Sequence, residues 1–181
     1  MKKAYIFFAD GFEEIEAITP VDVLRRAGIE VTTVSITKSR QVKGSHNIEI
    51  ITDTTLSEVM DIEADMLILP GGLPGAENLN KSTELKQMIQ SYSNKGKSVG
   101  AICAAPMVLG EMGILKDKKA TCYPGFEKYL QGAVVSTGAV EVSSNIITGQ
   151  GVGAAMKFSL ELVAQLIDKQ TANELAKKMV V

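Results

Sequence analysis

The chain has 181 residues, 45% of them hydrophobic and 22% charged, with a formal net charge of -2. That length and composition fit one domain spanning 1–181 with a well-buried core. The charge balance offers no basic surface for a nucleic acid or an anionic membrane, and no run reaches the roughly 18 apolar residues of a membrane span.

Lys2 and Lys3 precede a short apolar stretch that superficially resembles a signal peptide, but Asp10, Glu13 and Glu14 cut it off too early. A cytoplasmic location is the default expectation. Residues 3–9 (KAYIFFA) read as a parallel strand covered on both faces. Residues 13–27 read as a helix that Gly28 ends, with Pro20 expected to bend or restart it. Residues 30–36 (EVTTVSI) form a second strand, and 41–52 alternate weakly around Lys43-Gly44-Ser45 as an irregular hairpin.

Residues 66–70 (MLILP) are a further apolar strand, followed by Gly71-Gly72 and a helix over about 82–94. A strand at 98–102 (SVGAI) leads directly into Cys103 and a helix running to about Met112. Short strands are expected near 119–122, 133–136 and 146–149, and helices at roughly 152–168 and 171–179. Alternation of this kind specifies an α/β fold, a flavodoxin-like (Rossmann-like) three-layer sandwich with a mainly parallel central sheet. In such sheets the site lies beyond the carboxyl ends of the strands. Three segments qualify: Asp10–Glu16, Pro70–Gly75 and Ile102–Pro106.

Cys103 sits between small residues at a strand-to-helix turn, which is the layout of a nucleophile elbow with cysteine in place of serine. Free N–H groups and the helix dipole at such a position favour the thiolate and lower its pKa; a buried structural cysteine is the competing reading. The glycines at 71, 72 and 75 allow backbone N–H groups to approach an oxyanion beside the sulfur, although a plain turn would also use them. Glu13, Glu14 and Glu16 open a helix, where the dipole stabilises negative charge. That preference suffices for Glu13. Glu16 lies a turn further in, where shielding from water raises a carboxyl pKa and suits it to move protons.

His46 is the only histidine, and there are two cysteines with no Cys-x-x-Cys spacing. Cys and His alone are too few for a zinc site, and a structural disulfide is not expected. There is no tryptophan, and no aromatic cluster that bases would stack on.

Gly11-x-Glu13-Glu14-x-Glu16, VDVLRRAG at 21–28, LPGG at 69–72, AICAAP at 101–106 and TGQG at 148–151 together resemble the DJ-one/ThiJ/PfpI superfamily, most closely its DJ-one/ThiJ branch. The resemblance implies that Cys103 is a nucleophilic or oxidisable cysteine, that Glu16 hydrogen-bonds its sulfur, and that Gly71, Gly72 and Ala104 belong to the backbone oxyanion site. It implies a homodimer with each site near the subunit interface, and no metal or organic cofactor. Two function classes follow. One is a glutathione-independent glyoxalase or deglycase acting on a small aldehyde or dicarbonyl such as methylglyoxal. The other is a redox-responsive stress protein or chaperone.

Two departures narrow the reading. Tyr123 stands where many relatives carry a histidine, and a phenol is a poor base at neutral pH. Ala104 directly follows the cysteine, where the peptidase-like PfpI branch has histidine, and no histidine lies downstream for an amidotransferase. By the same resemblance, His46 and Arg26 are expected to help form an anion pocket at the dimer interface. Cys122 is expected close to the site, as a partly buried spectator.

Overall fold

A computed structural model describes residues 1–60 and 62–181. In chain order the elements are β1 (Lys3–Phe8), α1 (Glu14–Arg26), β2 (Glu30–Ser35), β3 (Gln41–Lys43), β4 (Glu49–Ile51), β5 (Thr54–Thr55), α2 (Leu56–Val59), β6 (Met66–Leu69), α3 (Gly75–Lys81) and α4 (Thr83–Asn94). They continue as β7 (Ser98–Ile102), α5 (Pro106–Glu111), β8 (Lys119–Ala120), β9 (Val134–Val135), β10 (Val140–Ser143), β11 (Ile146–Gly149), α6 (Ala155–Leu166) and α7 (Lys169–Met179).

Seven strands make the central sheet in the order β10-β11-β7-β6-β1-β2-β5. Every neighbouring pair is parallel except β10 with β11. β1, β2, β6, β7 and β11 thereby follow the 2-1-3-4-5 order of a flavodoxin-like sheet, whose direction of winding reverses between β1 and β6. Connections leaving β1 and β6 diverge there and open a crevice at the strands' carboxyl ends.

The period of two along β1 assigns its side chains to opposite layers. Tyr5 and Phe7 join the core beneath α3, α4 and α5. Ala4, Ile6 and Phe8 join the core beneath α1 and α6. β1 is buried on both faces, as its unbroken apolar run requires.

Several expectations need correction. Pro20 lies within α1 without ending or restarting it. The segment after Gly-Gly-Leu-Pro-Gly already forms a helix, α3, which Ser82 separates from α4 by capping the Leu85 N–H. Asn78 and Asn80 gave that stretch a loop-like composition. β10 is an edge strand absent from the sequence reading, because a single four-residue run (VEVS) is too short to specify a strand on its own. Among the described residues, no helix is long and apolar enough to cross a membrane.

Candidate active site

β7 delivers Cys103 into a sharp turn in which the cysteine itself is left-handed, with φ of +65°. A residue with a Cβ holds that conformation only when its surroundings enforce it. Here the Cys103 N–H donates to the Gly149 carbonyl at 2.9 Å, and the Cys103 carbonyl accepts from the Tyr123 N–H at 2.8 Å. Cys103 is 9% exposed.

α1 brings Glu16 to the same point from beyond β1. Its side chain is fully buried, and the Gly71 N–H donates to Oε2 at 3.1 Å. Among the described residues, Oε1 has no hydrogen-bond partner. Gly71 must lack a side chain, since a Cβ there would come within 2.6 Å of both Glu16 Oε2 and Cys103 Cβ. Gly72 has φ of +88°, and a Cβ on it would collide with the Glu13 backbone N. The loops after β1 and β6 therefore interlock backbone to backbone, with the Glu13 N–H donating to the Gly71 carbonyl at 3.0 Å and the Gly75 N–H to the Gly11 carbonyl at 3.2 Å.

Burial pushes the Glu16 carboxyl up to about 7; the thiol's hydrogen bond opposes this, the Glu13 charge reinforces it and the Gly71 N–H opposes it. Burial likewise pushes the Cys103 thiol up to about 12, followed by repulsion from and hydrogen bonding to Glu16. N–H groups of Gly72 and Ala104 pull it down without prevailing. The expectation of a thiol activated by a lowered pKa is thus overturned: desolvation and an adjacent carboxylate outweigh the turn's free amides. The N–H groups of Gly72 and Ala104 face the sulfur, whereas the Gly71 amide is occupied by Glu16.

The thiol opens into a cavity of about 300 Å³ walled by Glu13, Leu73, Tyr123, Phe126 and Val152. Tyr123 is half exposed and meets Phe126 edge-on at 6.4 Å. Cys122 is buried on the opposite core layer among apolar side chains, with its thiol pushed up to about 11 by burial and by Glu127. Glu13 is a member of this wall that sequence reasoning left aside, because a helix-end acid carries no signal of facing a cavity.

His46 and Arg26 do not meet within the chain. Arg26 Nε donates to Asp22 Oδ2 at 2.6 Å near the carboxyl end of α1. At the other end, the His46 backbone N–H donates to Glu14 Oε1 at 2.7 Å, and its ring Nδ1 lies 2.8 Å from Glu14 Oε2 and 3.5 Å from Glu13 Oε2. The histidine sits against two carboxylates, so this arrangement is not an anion pocket. Ligand atoms of Glu13, Glu14 and His46 lie within 4.8 Å of one another, a spacing that a divalent cation would accept; Ser45 Oγ bridges both carboxylates, at 3.3 and 3.2 Å. A larger hollow of about 460 Å³ runs along α1 between Ile15, Ile18, Ile48 and Met156, with Glu14, Thr19 and Asp22 also in its lining and neither cysteine among the residues that line it.

The sequence profile of the DJ-1/PfpI family matches residues 2–165. "Protein DJ-1 homolog B" of Arabidopsis thaliana is 41% identical over 181 residues, covering 99% of this chain and 41% of that protein; the chain thus spans less than half the length of this relative. "Glutathione-independent glyoxalase DJ-1" of Schizosaccharomyces pombe is 32% identical over 99% of this chain and 98% of its own length. Among solved structures, oxidized Toxoplasma gondii DJ-1 superposes with a TM-score of 0.96 at 35% identity, covering 99% of this chain and 98% of that one.

Proposed function

Starting from the fact that this chain belongs to the DJ-1/PfpI family, we propose that it is a cysteine-dependent enzyme that converts small dicarbonyls such as methylglyoxal to hydroxy acids without glutathione. The observation that carries the reading is the fully buried Glu16, tuned to about 7 beside the Cys103 thiol. A base matched to neutral pH is what proton transfer at carbon requires.

Because the thiol is not ionised beforehand, Glu16 acts first as its base. It takes the thiol proton as sulfur bonds to the aldehyde carbon, and the carbonyl oxygen becomes an alkoxide facing the Gly72 and Ala104 N–H groups. The thiol–carboxylate and thiolate–carboxylic acid pairs carry the same net charge, so burial does not oppose the transfer as it opposes a separate ionisation. Glu16 returns the proton to the alkoxide, giving a hemithioacetal. It then removes the C1 proton to form an enediolate and delivers a proton to C2, leaving a lactoyl thioester on Cys103. Water hydrolyses the thioester to lactate. The name of the fission-yeast relative supports this reaction class.

The exposed Ile15, Ile18 and Ile48 beside the α1 hollow support a homodimer formed by a second copy across this face. Ile18→Lys is expected to yield a monomer in analytical ultracentrifugation.

One observation favours a second use of the same thiol. Glu16 Oε1 is buried and unpartnered, ready when protonated to donate to an oxidised sulfur. Addition of two oxygens to Cys103 after mild peroxide, in protein that does not turn over dicarbonyls, would favour a redox sensor. The enzyme reading is tested by lactate formation from methylglyoxal, which Cys103→Ser should abolish; equal rates in the two proteins would refute it.

A further inference from the structure

The hydrolytic half of this reaction needs a base in contact with water entering the cavity, and Glu16, the base for the thiol and for carbon, has no exposed surface. Glu16 is fully buried, with Oε2 tied to the Gly71 N–H. The half-exposed Tyr123 is a phenol on the cavity wall. Glu13 is the remaining carboxylate in the lining of the cavity into which Cys103 opens. Its side chain is only 12% exposed.

Its position is held from three sides. The Glu13 N–H donates to the Gly71 carbonyl at 3.0 Å, which fixes its backbone to the loop bearing the Gly72 amide. Ser45 Oγ lies 3.3 Å from Oε2. His46 Nδ1 lies 3.5 Å from the same oxygen, with Nδ1 also 2.8 Å from Glu14 Oε2. The hairpin turn between β3 and β4 thus fixes the carboxylate of a residue that lines the cavity. Its charge already acts on Glu16, which titrates higher because of it.

We propose that Glu13 is a further catalytic residue, the general base for deacylation of Cys103, and that Ser45 and His46 are positioning residues for it. In the step, Glu13 takes a proton from water as the water oxygen bonds to the acyl carbon. The tetrahedral intermediate collapses, the C–S bond breaks, and its electron pair leaves on sulfur. The carboxylic acid released gives its proton to the thiolate, and Glu13 returns its proton to solvent. Acyl-enzyme and water become thiol, carboxylate and one proton. The Glu13–His46 arrangement supplies from the β3–β4 side the base that Tyr123 does not.

This inference rests on Cys103 forming an acyl-enzyme, so the test bypasses dicarbonyl chemistry. p-Nitrophenyl acetate is the probe, with acetyl-Cys103 located by intact and peptide mass and its decay followed after excess reagent is removed. Glu13→Gln is expected to slow deacetylation about 100-fold and to change acetylation far less, since it reaches that step only through the Glu13 charge on Glu16, and His46→Gln to slow deacetylation less. Glu13→Asp recovers part of the rate. Hydroxylamine, a nucleophile that needs no base, clears the acetyl group equally fast from wild type and Glu13→Gln. Unchanged deacetylation in Glu13→Gln, or equal slowing of acetylation and deacetylation, overturns the proposal, as does failure of Cys103 to acetylate. Slowed deacetylation in a protein that makes no lactate from methylglyoxal leaves this inference standing and removes the glyoxalase reading.

Discussion

Glu14 and Glu16 lie two residues apart in the first turn of α1, and both are less than a tenth exposed. They titrate in opposite directions. Glu16 rises to about 7 and Glu14 falls to about 2. Burial raises both, but at Glu14 the His46 ring and surrounding backbone N–H groups outweigh it. Glu16 has one amide and a thiol for company, and one oxygen with no partner. Loss of water is common to the two; hydrogen-bond donors decide the outcome. One carboxylate has become a structural anion that clamps the β3–β4 turn to α1, the other a group able to exchange protons near neutral pH.

The comparison breaks most visibly in catalysis. Glu16→Gln is expected to lower methylglyoxal turnover about 10²–10⁴-fold, and Glu14→Gln to leave it within a few-fold, both read from initial rates of lactate formation. Equal losses would mean that the two acids are not functionally distinct.

Stability separates them next. Glu16 has its pKa raised on folding, so its contribution is fully present below its unfolded value of 4.5 and is lost as pH rises through about 7. Glu16→Gln is therefore expected to be more stable than wild type at pH 8, by up to about 3 kcal/mol, and equal to it at pH 4. Denaturant titrations at the two pH values check this. Glu14 has the opposite sign. Its contribution is present above 4.5 and lost as pH falls through about 2. Glu14→Gln should lower Tm at pH 7 by about 2–4 °C, with the gap closing in acid.

A third consequence concerns the thiol. Without the Glu16 charge, Cys103 should ionise below its present value of about 12. The pH dependence of alkylation by iodoacetamide would show the shift in Glu16→Gln and none in Glu14→Gln. The smallest expected effect is at the far end of α1. Arg26 pairs with Asp22 at the surface, and Arg26→Ala should leave turnover unchanged.

Much of this was legible in the sequence. The apolar runs that became β1, β6 and β7 gave the sheet, and the rule that sites lie beyond carboxyl ends gave the three loops that meet at Cys103. Glycines at 71 and 72 signalled close backbone approach, and the structure shows which atoms approach. What escaped was three-dimensional. The partner of His46 depends on how the β3–β4 turn folds back on α1, which no local pattern records. The thiol's pKa was misjudged because a turn's amides are visible in sequence whereas the depth of burial is not. Glu13 was assigned to helix-end preference because its neighbour across the cavity is set by the loop after β6. α3 was hidden by its asparagines, and β10 by its shortness.

The most direct test of the Cys103–Glu16 pair is the pH profile of kcat/KM for methylglyoxal in wild type and Glu16→Gln. The account predicts a wild-type rate that rises as Glu16 ionises near pH 7, and a variant that is about 10²-fold or more slower and lacks that limb. A Glu16→Gln enzyme that keeps the limb, or that makes lactate at the wild-type rate, would contradict it.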